Sequence, residues 1–85
     1  MIPGNHIGLE TERSRLLAEA CAEVLDIERV EPDDRFFALG GDSISCIRFI
    51  ALVRRQGLEI SVRDVLVDDQ IASLAARARE RTEDR

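Results

Sequence analysis

Residues 36–45, Phe-Phe-Ala-Leu-Gly-Gly-Asp-Ser-Ile-Ser, hold the feature that decides the fold of this chain. Gly40 and Gly41 allow a backbone turn that other residues resist. Asp42 is a residue type preferred at helix N-caps, and an apolar helical pattern follows Ser43 directly. The stretch therefore predicts a turn that leads into a helix. The Ser43 hydroxyl is expected to be exposed at the N-terminus of that helix, where the dipole favours an attached phosphate.

The helix after this turn is predicted to run from Ser43 to about Gln56, with Gly57 as its C-terminal stop. Three- and four-residue spacings place one set of apolar residues on the core face. This set consists of Cys46, Phe49, Ile50 and Val53. A neighbouring face of the same helix carries Ile44, Ile47, Arg48 and Ala51.

Upstream, an apolar stripe predicts a first helix that starts between Leu9 and Glu12 and ends near Leu25. The stripe consists of Leu16, Leu17, Ala20, Cys21, Val24 and Leu25. Residues 1–8 have no such periodicity and are interpreted as a flexible N-terminal linker or an expression remnant.

The connection at residues 26–41 is long, and Pro32 excludes a continuous helix through it. Long structureless loops are uncommon in small domains. However, Phe36, Phe37 and Leu39 are too apolar for a mobile loop, so we expect this connection to be ordered and to tuck these side chains under the helices.

Downstream, a short third helix is predicted at about residues 62–66, with Ser61 as its cap. Asp68 and Asp69 interrupt the pattern and are candidate caps for a fourth helix. The apolar stripe of that helix is Ile71, Leu74, Ala75 and Ala78. Its C-terminal end is expected to hold Arg77, Arg79 and Arg81.

These elements predict an all-α fold, a small four-helix bundle of three main helices and one short helix. The long ordered loop lies between helices 1 and 2. The domain is expected to span residues 9–80, and residues 81–85 to form a frayed C-terminal tail.

Composition sets further limits on function. The chain has 85 residues, enough for one small domain, with 17 acidic and 12 basic residues and a formal net charge of -5. An acidic chain without a basic stripe argues against nucleic acid as a partner. No apolar run approaches the roughly 20 residues that a membrane span needs. Cys21, Cys46 and His6 cannot supply four metal ligands, so we expect free, buried thiols in a reducing, cytoplasmic setting.

Other interpretations of the glycine-serine motif fit the rest of the chain less well. Gly41-Asp42-Ser43-Ile44 resembles the nucleophile block of Gly-Asp-Ser-Leu esterases, but no histidine follows Ser43 to act as the base. The chain has no lysine and hence no phosphate-binding Gly-Lys loop. The purely structural alternative is a turn and a capped helix with no functional role.

The motif and its surroundings closely resemble the thiolation (peptidyl carrier protein) domains of nonribosomal peptide synthetases. Phe36-Phe37-x-Leu39 precedes the glycines at the spacing of that family, after an acidic stretch. Three further segments match, namely Arg-Arg-Gln-Gly-Leu at 54–58, Ser-Val-Arg-Asp-Val-Leu at 61–66 and Ile-Ala-Ser-Leu-Ala at 71–75. The resemblance covers about Leu9 to Glu80.

This resemblance implies that Ser43 carries a 4′-phosphopantetheine arm, transferred from coenzyme A by a phosphopantetheinyl transferase with Mg²⁺. Gly41 and Asp42 would belong to the same attachment site. The arm would hold aminoacyl or peptidyl groups as thioesters and pass them between synthetase domains, and the carrier itself would catalyse nothing. Adenylation and condensation domains are the implied partners, and the isolated chain is expected to be a monomer.

The resemblance also implies a docking surface for partner enzymes around the serine. We define the docking surface as Leu39, Ile44, Ile47, Arg48, Ala51, Val62, Arg63 and Leu66. For Ile44 and Ile47, burial against the long loop is the structural alternative. Exposed apolar residues beside the modified serine would instead indicate a functional role.

Two departures from the family pattern refine the subtype. Many elongating carriers have His in place of Asp42 and Leu in place of Ile44, so this form resembles carriers that precede an epimerisation or related condensation-like domain. Arg48, Arg54 and Arg55 argue against a fatty-acid carrier. An acyl or aryl carrier of a polyketide or siderophore-type pathway remains the runner-up. A helical interaction module without a covalent arm is the alternative from another class.

Overall fold

Four helices and a short two-stranded ribbon make up the part of the chain described by the computed structural model. This model describes the backbone of residues 4–81 and the side chains of residues 12–81. The helices are α1 (Gly4–Leu25), α2 (Ser43–Arg55), α3 (Val62–Val67) and α4 (Ile71–Arg77). The strands β1 (Leu58–Glu59) and β2 (Arg79–Glu80) pair antiparallel, with Leu58 opposite Glu80. The predicted all-α bundle is confirmed.

The ends of the outer helices differ from the predictions. α1 begins at Gly4 rather than between Leu9 and Glu12, because no proline interrupts residues 4–25 and weak local propensities do not end a helix by themselves. The described part of the predicted linker is therefore helical. The remaining residues of that linker (1–3) and of the predicted tail (82–85) lie outside the described residues.

α4 is shorter than predicted, since it ends at Arg77, before Ala78 of the predicted stripe. Ala78 is buried but has an extended backbone (φ -68, ψ 146), and Arg79 then pairs with β1. The Arg81 N–H donates to the Gly57 carbonyl at 2.9 Å. Arg79 and Arg81 therefore lie in and beside the ribbon, and their placement in a helix was wrong.

The predicted caps of α4 were also wrong. Gln70 occupies the N-cap position and makes no side-chain cap hydrogen bond. The Asp68 carboxylate accepts from the Gln70 N–H at 3.2 Å, and the Asp69 carboxylate accepts from the Phe37 N–H at 2.8 Å. Both carboxylates thus accept from backbone N–H groups outside the helix rather than from the N–H groups of its first turn.

The core lies where α1, α2 and α4 meet. Phe36 and Phe49 are fully buried and stack with ring centroids 5.0 Å apart and planes 13° apart. The largest of the other fully buried side chains are Leu17, Ile60, Ile71, Leu74, Val53, Val65 and Cys21. Several predicted core residues are only partly buried, namely Leu16, Val24, Leu25 and Ile50.

The long connection between α1 and α2 is ordered, as predicted. Its backbone is hydrogen-bonded to the segment that enters α4. Phe36 N–H donates to Asp69 O at 3.0 Å, Ile71 N–H to Asp34 O at 3.0 Å and Ala72 N–H to Pro32 O at 2.8 Å. These bonds hold Phe36 in the core.

The prediction that Phe37 tucks under the helices was wrong. Phe37 is 38% exposed and contacts the Phe36 ring edge-on. Two successive residues of a turn point in different directions, so only one of them enters the core.

None of the helices between residues 4 and 81 has the length and apolar character to cross a bilayer.

Candidate functional site

A tight turn brings the loop to the start of α2. Gly40 has φ +107, a conformation that favours glycine. The Gly41 N–H donates to the Phe36 carbonyl at 3.1 Å, and a Cβ added at Gly41 would overlap the Phe36 ring. The turn therefore lies directly on the aromatic core, and only a residue without a side chain fits at Gly41.

A capping box closes the N-terminus of α2. Asp42 is the N-cap, as predicted, and has an extended backbone. Its carboxylate accepts from the Ser45 N–H at 2.9 Å, and the Ser45 hydroxyl oxygen accepts from the Asp42 N–H at 2.8 Å. These bonds satisfy two amides that the helix itself leaves without partners.

The same bonds set the electrostatics of the cap. They lower the pKa of Asp42, first through the Ser45 backbone N–H and next through the Ser45 hydroxyl. The carboxylate is ionised at neutral pH, because both its exposure to water and these hydrogen bonds favour the charged form.

The two serines at the start of this helix differ in their hydrogen bonding and position. The Ser45 hydroxyl lies within 2.9 Å of the Asp42 carboxylate and belongs to the capping box. Ser43 is the first residue of α2, is exposed, and stands outside the box. Ser43 is thus an exposed residue whose neighbours on either side, Asp42 and Ser45, are fixed by the capping box.

This arrangement fits a phosphodiester on Ser43. The hydroxyl is accessible, the amide end of a 13-residue helix favours negative charge there, and Gly41 adds no side chain beside it. The core behind the turn holds Ser43 in place.

Most of the docking surface is solvent-exposed. Ile44 is 69% exposed, Ile47 62% and Leu66 68%, so burial of the two isoleucines against the loop does not occur. Val62, Arg48, Ala51 and Arg63 are also exposed, and Leu39 is partly buried.

Sequence reasoning missed two exposed apolar side chains, Val67 and Phe37. Val67 is the last residue of α3, one position beyond the predicted end of that helix. No periodic signal marks such a position, because a six-residue helix has less than two turns.

The comparison with protein families identifies the family of this chain. A family model described as "Phosphopantetheine attachment site" matches residues 15–78, which is most of the chain and includes Ser43. The chain belongs to this family. The predicted cofactor, covalently attached phosphopantetheine, is confirmed at the level of the family.

Nonribosomal peptide synthetases are among the relatives of this carrier domain. It is 47% identical over 55 residues to the nonribosomal peptide synthetase opaA of Aspergillus ustus, covering 65% of this chain. It is 38% identical over 73 residues to the nonribosomal peptide synthetase benY of Aspergillus terreus, covering 84% of this chain. The matches span only 1% and 7% of those two proteins.

Solved structures show the same fold. A "Non Ribosomal PCP domain" superposes with a TM-score of 0.81 at 42% identity, covering 84% of this chain and 92% of that one. BlmI, a type-II acyl-carrier-protein from Streptomyces verticillus involved in bleomycin biosynthesis, gives a TM-score of 0.81 at 28% identity, covering 89% and 93%. The predicted carrier domain of the nonribosomal peptide synthetase class is confirmed.

Proposed function

We propose that Ser43 is the attachment site of the phosphopantetheine arm and that this domain carries aminoacyl or peptidyl groups without catalysing a reaction itself. The observation that carries the proposal is the exposed Ser43 hydroxyl outside the capping box at the start of α2. When attached, the arm supplies a terminal thiol that holds the acyl group as a thioester.

The residues around Ser43 act by holding the attachment point still. Asp42 and Ser45 close the first turn of α2 through reciprocal hydrogen bonds. Gly41 has no side chain, so the loop packs directly against Phe36. The Phe36 ring in turn stacks on Phe49, which is a residue of α2. A rigid attachment point leaves the arm as the moving part, so that tethering supplies a high effective concentration of substrate at each partner site.

The chain's own groups support the proposal that this domain is not catalytic. A serine nucleophile requires a base within hydrogen-bond reach of its hydroxyl. The sequence contains a single histidine, His6, far from Ser43 along the chain, and the Asp42 carboxylate is already committed to the cap. The hydroxyl is therefore an acceptor of a group that another enzyme transfers.

The proposed partners are a phosphopantetheinyl transferase, which loads the arm, and the adenylation and condensation domains of a synthetase. The exposed docking surface supports these partners, because it combines apolar side chains with Arg48 and Arg63. The residue types at Asp42 and Ile44 favour a place for this carrier domain directly before an epimerisation or condensation-like domain of the synthetase. An ordinary elongation module downstream of this segment in the parent gene would contradict that placement.

We also propose a cytoplasmic location. Cys21 and Cys46 are both free and buried. Burial raises the pKa of Cys21 to about 12 and also raises that of Cys46, so neither thiol is poised to react. Free thiols in a small domain are typical of a reducing compartment.

The test is an intact-mass measurement after incubation of the apo protein with coenzyme A, Mg²⁺ and a broad-specificity phosphopantetheinyl transferase. The wild type should gain one phosphopantetheinyl group, Ser43→Ala should gain none, and the control Ser45→Ala should still gain one. A folded wild type that gains nothing, while a known carrier is modified in parallel, would contradict the proposal. A gain that is lost in Ser45→Ala but kept in Ser43→Ala would move the site to Ser45.

A further inference from the structure

The short helix α3 has little to hold it in place through packing. It has six residues, and Val65 is its one buried side chain. Isolated helices shorter than about 12 residues are marginal in water. Val62, Leu66 and Val67 are exposed, so most apolar contact area of α3 faces solvent rather than the core.

The guanidinium of Arg77 supplies the missing contact. From the last residue of α4, its Nη1 donates to the Asp64 carbonyl at 2.8 Å, and its Nη2 donates to the Asp68 carbonyl. The Arg77 side chain is 30% exposed, so these bonds are partly shielded from water. The Asp64 carbonyl also accepts from the Asp68 N–H at 3.2 Å, so Arg77 adds a second donor there. The Asp68 carbonyl belongs to the C-cap residue, where a cation also complements the helix dipole.

Arg77 is itself held in one orientation. Its Nε donates to the Ser73 carbonyl at 3.2 Å, and its Nη2 donates to the Ser73 hydroxyl at 3.2 Å. Both acceptors lie one turn earlier on α4, whose Ile71 and Leu74 are fully buried. The guanidinium therefore connects α3 to a helix that the core fixes.

We propose that Arg77 is a positioning residue that sets the orientation of α3 and, with it, the α3 part of the docking surface. Val62, Arg63 and Leu66 lie on this helix, so movement of α3 changes the surface that a partner enzyme meets. The consequence for docking rests on the proposed function, whereas the effect on α3 itself does not. Arg77 touches no reacting group, because the attachment point lies on α2.

Arg79 offers a matched control from the same neighbourhood. Its Nη2 lies 3.7 Å from the Asp64 carboxylate, and its side chain is 61% exposed. It contacts the Asp64 carboxylate, whereas Arg77 donates to the Asp64 and Asp68 carbonyls. Replacing Arg79 removes the same charge from the same region and leaves the link to the end of the helix.

The experiment compares wild type, Arg77→Gln, Arg77→Lys and Arg79→Gln by native-state hydrogen exchange. Hydrogen bonds to charged groups are strong enough that Arg77→Gln should speed exchange of the Val65 and Asp68 amides by about tenfold or more. Amides in the middle of α2 should keep their protection, and Arg79→Gln should resemble wild type. Arg77→Lys should be intermediate, because one ammonium group lacks the planar fork. It also replaces the glutamine variant if that protein does not fold.

The second readout is steady-state loading of each apo variant by a broad-specificity phosphopantetheinyl transferase. Arg77→Gln should raise KM for the carrier several-fold with kcat unchanged, because docking is altered and the Ser43 hydroxyl is not. Unchanged exchange in α3 would overturn the positioning role, and lost protection with an unchanged KM would overturn its link to docking. A wild type that is not loaded at all contradicts the proposed function, while the exchange result still decides the role of Arg77.

Discussion

The N-termini of α2 and α3 carry the same two residue types in opposite order. In α2, Asp42 is the N-cap and Ser45 is the third helical residue, whereas in α3, Ser61 is the N-cap and Asp64 is the third. Both pairs form a complete capping box. The helices differ behind the cap, because α2 buries Cys46, Phe49 and Val53 and α3 buries only Val65.

Their surroundings differ in the same sense. The α2 box is exposed to solvent, which leaves room for a group on Ser43. The α3 box is partly buried, and Asp64 lies within 4.0 Å of the guanidinium groups of Arg77 and Arg79. Equal caps therefore do not make equal helices. The core holds the helix that carries the proposed attachment site, and polar contacts from α4 hold the helix that contributes to the proposed docking surface.

The largest effect should come from the core side of α2. Truncation of a buried aromatic residue usually costs about 3–5 kcal/mol, so Phe49→Ala should lower the free energy of unfolding by this amount. Phe49 is fully buried and stacks on Phe36. Urea denaturation is the measurement, and Phe37→Ala, at a 38% exposed site, is the control that should cost much less. Equal costs for the two variants would show that α2 is not held by its buried face.

The cap of α3 gives the next effect. Loss of an N-cap hydroxyl costs about 1 kcal/mol, so Ser61→Ala should destabilise the protein by roughly that amount. Because α3 has one buried side chain, the loss should concentrate in this helix. Hydrogen exchange should speed up at Val65 and Asp68 and stay slow in the middle of α2. Uniform acceleration across both helices would argue against separate support for α3.

The pH dependence of stability should reflect both boxes. The pKa of Asp42 is lowered chiefly by the Ser45 N–H and that of Asp64 chiefly by the Ser61 N–H. A carboxyl group with a lowered folded-state pKa stabilises the protein fully above its unfolded value, near 3.8, and loses this contribution as the pH falls through the folded value.

We therefore expect the wild-type urea midpoint to fall on acidification below about pH 4, where unfolded aspartates begin to bind protons. Asp64→Asn should be less stable than wild type at neutral pH, and this difference should narrow as the pH falls. A difference that stays constant with pH would mean that the Asp64 charge does not contribute to stability.

The smallest effect should follow from exchanging the two roles in α2. The double variant Asp42→Ser, Ser45→Asp copies the α3 arrangement without changing net charge. Since Asp and Ser are about equally good N-caps, its stability should lie within about 0.5 kcal/mol of wild type. Loading of Ser43 should continue at a similar rate if Asp42 acts only as a cap. A large loss of loading in a stable double variant would show that the transferase reads the Asp42 carboxylate directly.

Local signals explain what could be predicted from the sequence. The Gly40 turn, the Asp42 and Ser61 caps and the end of α2 near Gly57 each depend on a few neighbouring residues, and each was predicted correctly. The buried stripe of α2 followed from helical spacing. The expected exposure of Ser43 followed from its place just after the N-cap.

The missed features depend on contacts between distant segments. Asp69 accepts from the Phe37 N–H, and Arg77 donates to the Asp64 carbonyl of α3. Neither contact produces a periodic pattern in the sequence. β1 and β2 have two residues each, too few for an alternating pattern. The choice between Phe36 and Phe37 for the core likewise depends on the path of the loop.

We propose that Ser43, and not Ser45, carries the arm, and one measurement distinguishes the two serines directly. Trypsin cleaves after arginine, so digestion of the loaded protein releases residues 36–48, which contain both serines in one peptide. Fragment-ion mass spectrometry of this peptide should place the phosphopantetheinyl mass on Ser43. Fragments that place it on Ser45, or a loaded protein whose 36–48 peptide is unmodified, would contradict the account.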